Sequence, residues 1–216
     1  MPARSRFRWI SVATAPLGAI AVLFAAAPVA AAAPPPVPRL DLQRYLGTWH
    51  QLAAVPQYFT LVCARDTRAE YMLDPAGDVS VHNSCLTWAG TTNEITGTAT
   101  VTDPVTDAQL HVAFPGVPAQ EQRHGPPNYV VTGLASDYSW AVVTDPTAVS
   151  GFVLSRTPSL DAGQWQDVRD AIAAAGQDTC RYLTSPAAGV IPRSFPSARS
   201  DSSGAAAARV ASAVVG

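Results

Sequence analysis

The chain contains no lysine; all 14 of its basic residues are arginine. Charge of either sign is sparse, at 14% of 216 residues. With Arg4, Arg6 and Arg8 set aside, 11 arginines remain against 16 acids, a net charge of −5. A weakly acidic body lacks the basic stripe that selects nucleic acid, so no nucleic-acid partner is expected. Cysteine is scarce: Cys63, Cys85 and Cys180, with no two spaced C-x-x-C, which leaves no zinc or redox motif. Neither G-x-S-x-G nor H-E-x-x-H occurs. No metal, no cofactor and no catalytic residue is therefore expected, and the chain is read as a non-enzyme. At 48% apolar it is too hydrophobic to be disordered throughout.

The first segment carries a positive start (Arg4, Arg6, Arg8), an apolar run from Ile10 to Ala27 and small residues at Pro28–Ala33. That order is a secretory signal, read here as residues 1–32 with cleavage after Ala32. An uncleaved anchor is the competing reading, but the run is alanine-rich and broken by Pro16 and Gly18. It contains no cysteine to carry a lipid anchor, so a secreted or extracytoplasmic, soluble product is expected. Residues 33–38 are a proline-rich linker. Residues 186–216, rich in Ala, Ser, Gly and Pro without an apolar period, read as a disordered tail. The folded domain is 39–185, a common single-domain size.

Within it, short alternating runs recur at 47–54, 64–73, 78–86, 93–102, 107–114, 128–134, 138–144 and 150–156. Turn residues separate them: Asp74-Pro-Ala-Gly77, Asp103-Pro104, 115–127, Ala135-Ser-Asp137 and Asp145-Pro146. Eight strands on mostly short connections predict an all-β fold, an eight-stranded up-and-down antiparallel barrel that leaves no edge open. Trp165, Val168, Ile172 and Ala175 recur at helical spacing after a cap at Ser159 or Asp161, and Gly176 stops them. This C-terminal α-helix should pack outside the barrel. Residues 181–184 could pair with the first strand.

Alternation assigns the faces. In 64–73 the charged set Asp66, Arg68 and Glu70 must face water, so Thr67, Ala69, Tyr71 and Leu73 face in. Trp49, Gln51 and Ala53 face in; so do Val79, Val81 and Asn83; Ile95, Gly97, Ala99 and Val101; and Leu110, Val112 and Phe114. Phe152, Leu154 and Arg156 share one phase. The 128–134 run is apolar on both faces and its phase stays open. The small inward residues Ala53, Ala69, Gly97 and Ala99 predict a cavity rather than a filled lumen, and an eight-stranded barrel is wide enough for one small ligand. If the sheet closes, the Arg156 guanidinium can cover the Trp49 ring at one end, a cation–π pair worth roughly 0.5–2 kcal/mol.

Particular residues carry a family likeness: Tyr45-Leu-Gly47-Thr-Trp49, Ala69-Glu-Tyr71, Gly97-Thr-Ala99, Asn128-Tyr129, Thr144-Asp-Pro146 and Leu154-Ser-Arg156-Thr-Pro158. A lone G-x-W says little; G-x-W, T-D-P and S-R-T-P in this order and spacing say much. The chain resembles the lipocalins, in their bacterial and apolipoprotein D-like branch, over about 40–186. The resemblance implies a calyx closed at one end by Gly47, Trp49 and Arg156, open at the other, and binding a small hydrophobic molecule. In that branch one disulfide often ties the second strand region to the C-terminal segment, which would pair Cys63 with Cys180. Counting from the 74–77 turn instead sets Cys63 and Cys85 across one hairpin, about three residues out of register, which a bulge can absorb. Cys63–Cys85 is favoured and Cys63–Cys180 is the alternative.

The functional expectation is an exported protein that carries or stores a lipid, fatty acid or similar molecule. Ligand contacts are expected from Tyr71, Val81, Val112, Phe114, Tyr129, Trp140 and Phe152, with Tyr71, Tyr129 or Asn83 orienting one polar end. Ordinary core packing is the competing role for each. A monomer that touches membranes transiently to collect lipid fits this reading. The rival is a lipocalin-fold enzyme or haem protein; His50, His82 and His111 phase outward, leaving His124 in a proline-rich loop. That loop, 115–127, is long enough for a lid or a partner site.

Overall fold

The computed structural model describes residues 32–187. Residues 1–31, nearly all of the expected signal segment 1–32, and the expected tail beyond 187 lie outside the described residues. Eight strands close into one antiparallel barrel: β1 Gly47–Ala54, β2 Cys63–Leu73, β3 Val79–Thr87, β4 Thr92–Val101, β5 Gln109–Ala113, β6 Tyr129–Leu134, β7 Trp140–Thr144 and β8 Gly151–Ser155. Each pairs with the next, and β1 pairs with both β8 and β2, which removes every long edge. A two-residue strand, β9 Leu183–Thr184, adds to the end of β1 as residues 181–184 suggested.

The strand directions separate two ends. Turns 74–78, 102–108 and 135–139 lie at one, with Gly47 and Arg156; the connections 55–62, 88–91, 114–128 and 145–150 lie at the other. Residues before β1 cover the first end. The Val37 amide donates to the Val131 carbonyl at 2.8 Å and the Leu40 amide to the Thr106 carbonyl at 2.7 Å, so residues 37–40 run pinned across the base. A four-residue helix follows, α1 Leu42–Tyr45, which the alternation signal does not show. Asp41 caps it, its carboxylate accepting from the Gln43 and Arg44 amides.

The second helix, α2 Ala162–Ala174, begins at Asp161 rather than Ser159, with Asp161 and Gln164 forming a capping box. Gly176 follows it at φ +75°, the left-handed turn that stops a helix. Val168 and Ile172 are fully buried against the barrel's outer face, beside Leu52, Val142 and Val153. Packing is close where Gly133 meets the helix: a Cβ there would lie 2.7 Å from the Ala171 methyl.

Bulges decide where strict alternation fails. The β6–β7 register shifts between Val131 and Gly133, so Tyr129 and Val131 face in while Gly133 faces the helix. This resolves the doubly apolar phase of 128–134. The β1–β8 register shifts between Gln51 and Ala53. Ala53 therefore packs in the outer cluster with Leu52, contrary to the inward phase expected of it. Leu73, at the end of β2, is exposed rather than interior.

The disulfide joins Cys63 to Cys85, with Cα atoms 5.6 Å apart, and Cys180 is free and exposed. Two register shifts, between Cys63 and Arg65 and between Arg65 and Arg68, absorb the offset counted from the turn. Asp66 sits in that distortion at φ +57°.

Candidate functional site

The inward faces enclose a cavity of about 760 Å³ that opens between the 55–62, 114–128 and 145–150 connections. That volume lies in the ~300–1,000 Å³ range of small-molecule sites. Its walls are mainly apolar: Val79, Val81, Ala99, Leu110, Val112, Phe114, Phe152 and Leu154. Alternation delivers them. Away from the bulges each strand offers every second residue to the interior; the opposite set is polar or charged in β2–β4 and apolar in β7 and β8, where it packs against α2.

The floor is built from aromatic rings. Trp49 has no exposed surface, and its indole N–H donates to the Tyr45 carbonyl at 2.8 Å. On its other side the Arg156 guanidinium carbon lies 3.7 Å from the ring centre. Arg156 is held there by three backbone carbonyls: Thr48 at 2.9 Å, Arg44 at 2.7 Å and Leu46 at 2.8 Å. Two of these belong to the end of α1 and the turn after it, so one side chain plugs the base and ties off the short helix. Gly47 opens the strand beside it with a φ of +92°, a left-handed conformation that disfavours any side chain, while a Cβ would meet an Arg156 nitrogen only at ordinary contact distance, 3.4 Å.

Above this plug, Tyr45, Tyr71 and Tyr129 line the cavity and meet at their hydroxyls. The Tyr129 hydroxyl is 2.8 Å from that of Tyr45 and 3.2 Å from that of Tyr71. The Tyr45 and Tyr71 rings stack at 5.8 Å. Burial pushes all three phenols up, Tyr71 to about 12 and the other two well above their ordinary value, so each is a protonated hydroxyl at neutral pH. Higher on the wall Asn83 also lines the cavity, and its buried Oδ1 has no hydrogen-bond partner.

Of the residues expected to contact ligand, Tyr71, Val81, Asn83, Val112, Phe114, Tyr129 and Phe152 line this cavity. Trp140 does not. It packs outside with Val142, Val168 and Ile172, because inward-facing Ala141 and Val143 put its phase on the helix side. Gly97 also corrects the space count: a Cβ there would lie 2.5 Å from the Phe114 ring, so Phe114 occupies that room. Tyr45 and Leu154 were not among the expected contacts. Tyr45 lies on α1, where no strand period could point to it; Leu154 shares the phase of Phe152 and was legible from that.

The first part of the 115–127 connection borders the opening, where Val117 and Gln120 line the cavity. Its later part is strapped against the outside of β5 and reaches the base turn. The His111 ring nitrogens each lie 2.7 Å from a loop carbonyl, Gln122 through Nε2 and Pro126 through Nδ1. Arg123 reaches the base turn and bonds Asp78 at 2.7 Å and Asp74 at 3.3 Å. Gly125 fits against the His111 ring, where a Cβ would come within 2.5 Å. The 145–150 connection is held as firmly. Asp145 accepts from the Ser150 amide at 2.5 Å and the Thr147 amide at 2.7 Å, while Thr144 donates to the Ser150 carbonyl at 2.7 Å. This is the structural work of the T-D-P motif.

A closed barrel with an apolar lumen and a tryptophan–arginine base defines a small-molecule calyx. The lipocalin-like domain family model matches residues 40–187, and the chain belongs to the lipocalin family. It is 31% identical over 157 residues to temperature-induced lipocalin-1 of Arabidopsis thaliana, covering 72% of this chain and 83% of that protein. It is also 31% identical over 150 residues to the outer membrane lipoprotein Blc of Vibrio cholerae, covering 68% and 83%. With apolipoprotein D of Mus musculus it shares 25% identity over 155 residues, covering 70% and 79%. Among solved structures, insecticyanin from the tobacco hornworm Manduca sexta shares the fold at a TM-score of 0.54 and 22% identity, covering 69% of this chain and 82% of that one. Lobster apocrustacyanin A1 does so at a TM-score of 0.52 and 19% identity, covering 68% and 79%. Lipocalins bind small hydrophobic ligands, and that general role extends to this chain.

Proposed function

We propose that this protein is an exported carrier or store for one small hydrophobic molecule, a lipid, fatty acid or similar, held inside the barrel. The observation that carries the reading is the apolar cavity of about 760 Å³ above the Trp49–Arg156 plug. Burial of a ligand against such walls yields roughly 25 cal/mol per Å² of apolar area. Binding rather than catalysis is favoured because no histidine lines the cavity among the described residues, and Glu94 and Asp145 lie near its rim. The same distribution disfavours axial ligation of a haem. Export is supported by the order of residues 1–32 and by the Cys63–Cys85 disulfide, which persists in oxidising compartments. The protein acts as a monomer. Beside the opening, Tyr58, Phe59, Leu61, Val62 and Trp88 are exposed, which supports brief contact with a membrane to collect cargo. A panel of lipids and hydrophobic dyes, titrated while tryptophan fluorescence is followed, tests the reading. Saturable quenching by at least one class is expected; no response from any member overturns it.

A further inference from the structure

The hydroxyls on the cavity floor hold a proton that they do not use among themselves. Tyr45, Tyr71 and Tyr129 carry three phenolic protons, and the two contacts between them consume two. However the donors are assigned, one O–H remains, and no other described residue accepts it. Buried donors are ordinarily satisfied, so a free one lining an apolar cavity marks a place for a ligand atom.

We infer that the ligand enters polar end first and that this end is a neutral hydrogen-bond acceptor, a ketone, ester or hydroxyl oxygen, received by the Tyr45–Tyr71–Tyr129 cluster. This rests on the cavity-binding reading above and narrows it. A carboxylate fits the floor poorly. It needs several donors once stripped of water, and the cluster offers one. Arg156, whose charge acts on Tyr45 and Tyr71, is committed to the Thr48, Arg44 and Leu46 carbonyls and to the Trp49 face. Arg68 also borders the cavity, but it stands on β2 further toward the mouth than Tyr71. The phenols cannot supply a countercharge, being neutral donors raised by burial. Asn83, unpartnered at Oδ1 between floor and mouth, suits a second polar group behind the leading oxygen.

The test uses the full chain and four probes of one chain length: a methyl ketone, the primary alcohol, the carboxylic acid and the hydrocarbon. Their dissociation constants are read by tryptophan quenching. The ketone and alcohol are expected to bind roughly tenfold more tightly than the hydrocarbon, the worth of one net hydrogen bond. In the combined variant Tyr45→Phe, Tyr71→Phe, Tyr129→Phe the preference for ketone and alcohol over hydrocarbon should vanish. For a readout independent of any variant, the carbonyl stretch of isotopically labelled bound ketone should lie below its value in liquid hydrocarbon. Equal affinity for ketone and hydrocarbon, tightest binding of the acid, a preference that survives the combined variant, or an unshifted stretch overturns this inference and leaves the carrier reading standing. Failure of all four probes to bind overturns both.

Discussion

The guanidinium of Arg156 lies face-on to the Trp49 indole at 3.7 Å, sandwiched between that ring and the backbone at the end of α1. Desolvation lowers the Arg156 pKa, and the buried Tyr45 and Tyr71 phenols partly oppose that shift. Replacement by alanine removes the cation–π contact and leaves three carbonyls without their donor. Arg156→Ala should cost roughly 2–4 kcal/mol of stability. Arg156→Lys should recover part of this, since an ammonium keeps the charge and three donors but lacks the planar, two-nitrogen fork that spans the three carbonyls. Urea unfolding of the three proteins checks the order; an alanine variant as stable as the parent would contradict the plug.

Trp140 is buried on the helix side of the wall rather than in the cavity. Trp140→Ala should therefore destabilise the fold by about 3 kcal/mol or more. Ligand affinity per mole of folded protein should not change. A large loss of affinity in a variant that remains folded would return Trp140 to the ligand site.

Burial raises the Tyr71 pKa to about 12, with the Tyr129 hydrogen bond and the Arg156 charge acting against it. The unfolded chain ionises this phenol near 10. A folded pKa above the unfolded one contributes stability below the unfolded value and loses it as pH rises through the folded value. Stability should thus fall between pH 10 and 12, and steeply, because Tyr45, Tyr129 and Tyr182 are raised as well. Phenolate absorbance followed beside circular dichroism should show these groups ionising together with unfolding. Ionisation of all tyrosines near pH 10 with the fold intact would contradict the buried cluster.

The Cys63–Cys85 bridge closes a loop of sequence separation 22. Removing it in Cys63→Ser, Cys85→Ser should cost roughly 3 kcal/mol on loop-entropy grounds. Peptide mapping without reduction should yield one Cys63–Cys85 cross-link and an alkylated Cys180. A Cys63–Cys180 peptide would contradict the assignment.

The architecture was legible because period-two alternation and turn chemistry are local signals. Eight strand runs and the helix at Trp165–Ala175 could be read from them within a few residues. What escaped was set by long-range contacts. Ala53 and Gly133 changed faces at bulges created by register with β8 and β7, and no local pattern announces those shifts. Trp140 was misplaced because 138–144 is apolar on both sides, as a wall between lumen and helix must be. Tyr45 is not legible as a floor residue because it reaches the floor from a four-residue helix, announced only by Asp41 as a cap. The 115–127 segment reads as a lid or a partner site; that its later part is a strap rests on Arg123 finding Asp74 and Asp78, residues far away in sequence.

The most direct test of the account concerns the space itself. Val112 faces the cavity, and tryptophan in its place would extend into that volume. Titration of a hydrophobic dye into the parent protein should saturate at one molecule per chain. Val112→Trp should abolish that binding while leaving the unfolding midpoint nearly unchanged, because the added ring enters empty space rather than a packed core. Undiminished dye binding in the folded variant would contradict the claim that the ligand lies inside the barrel.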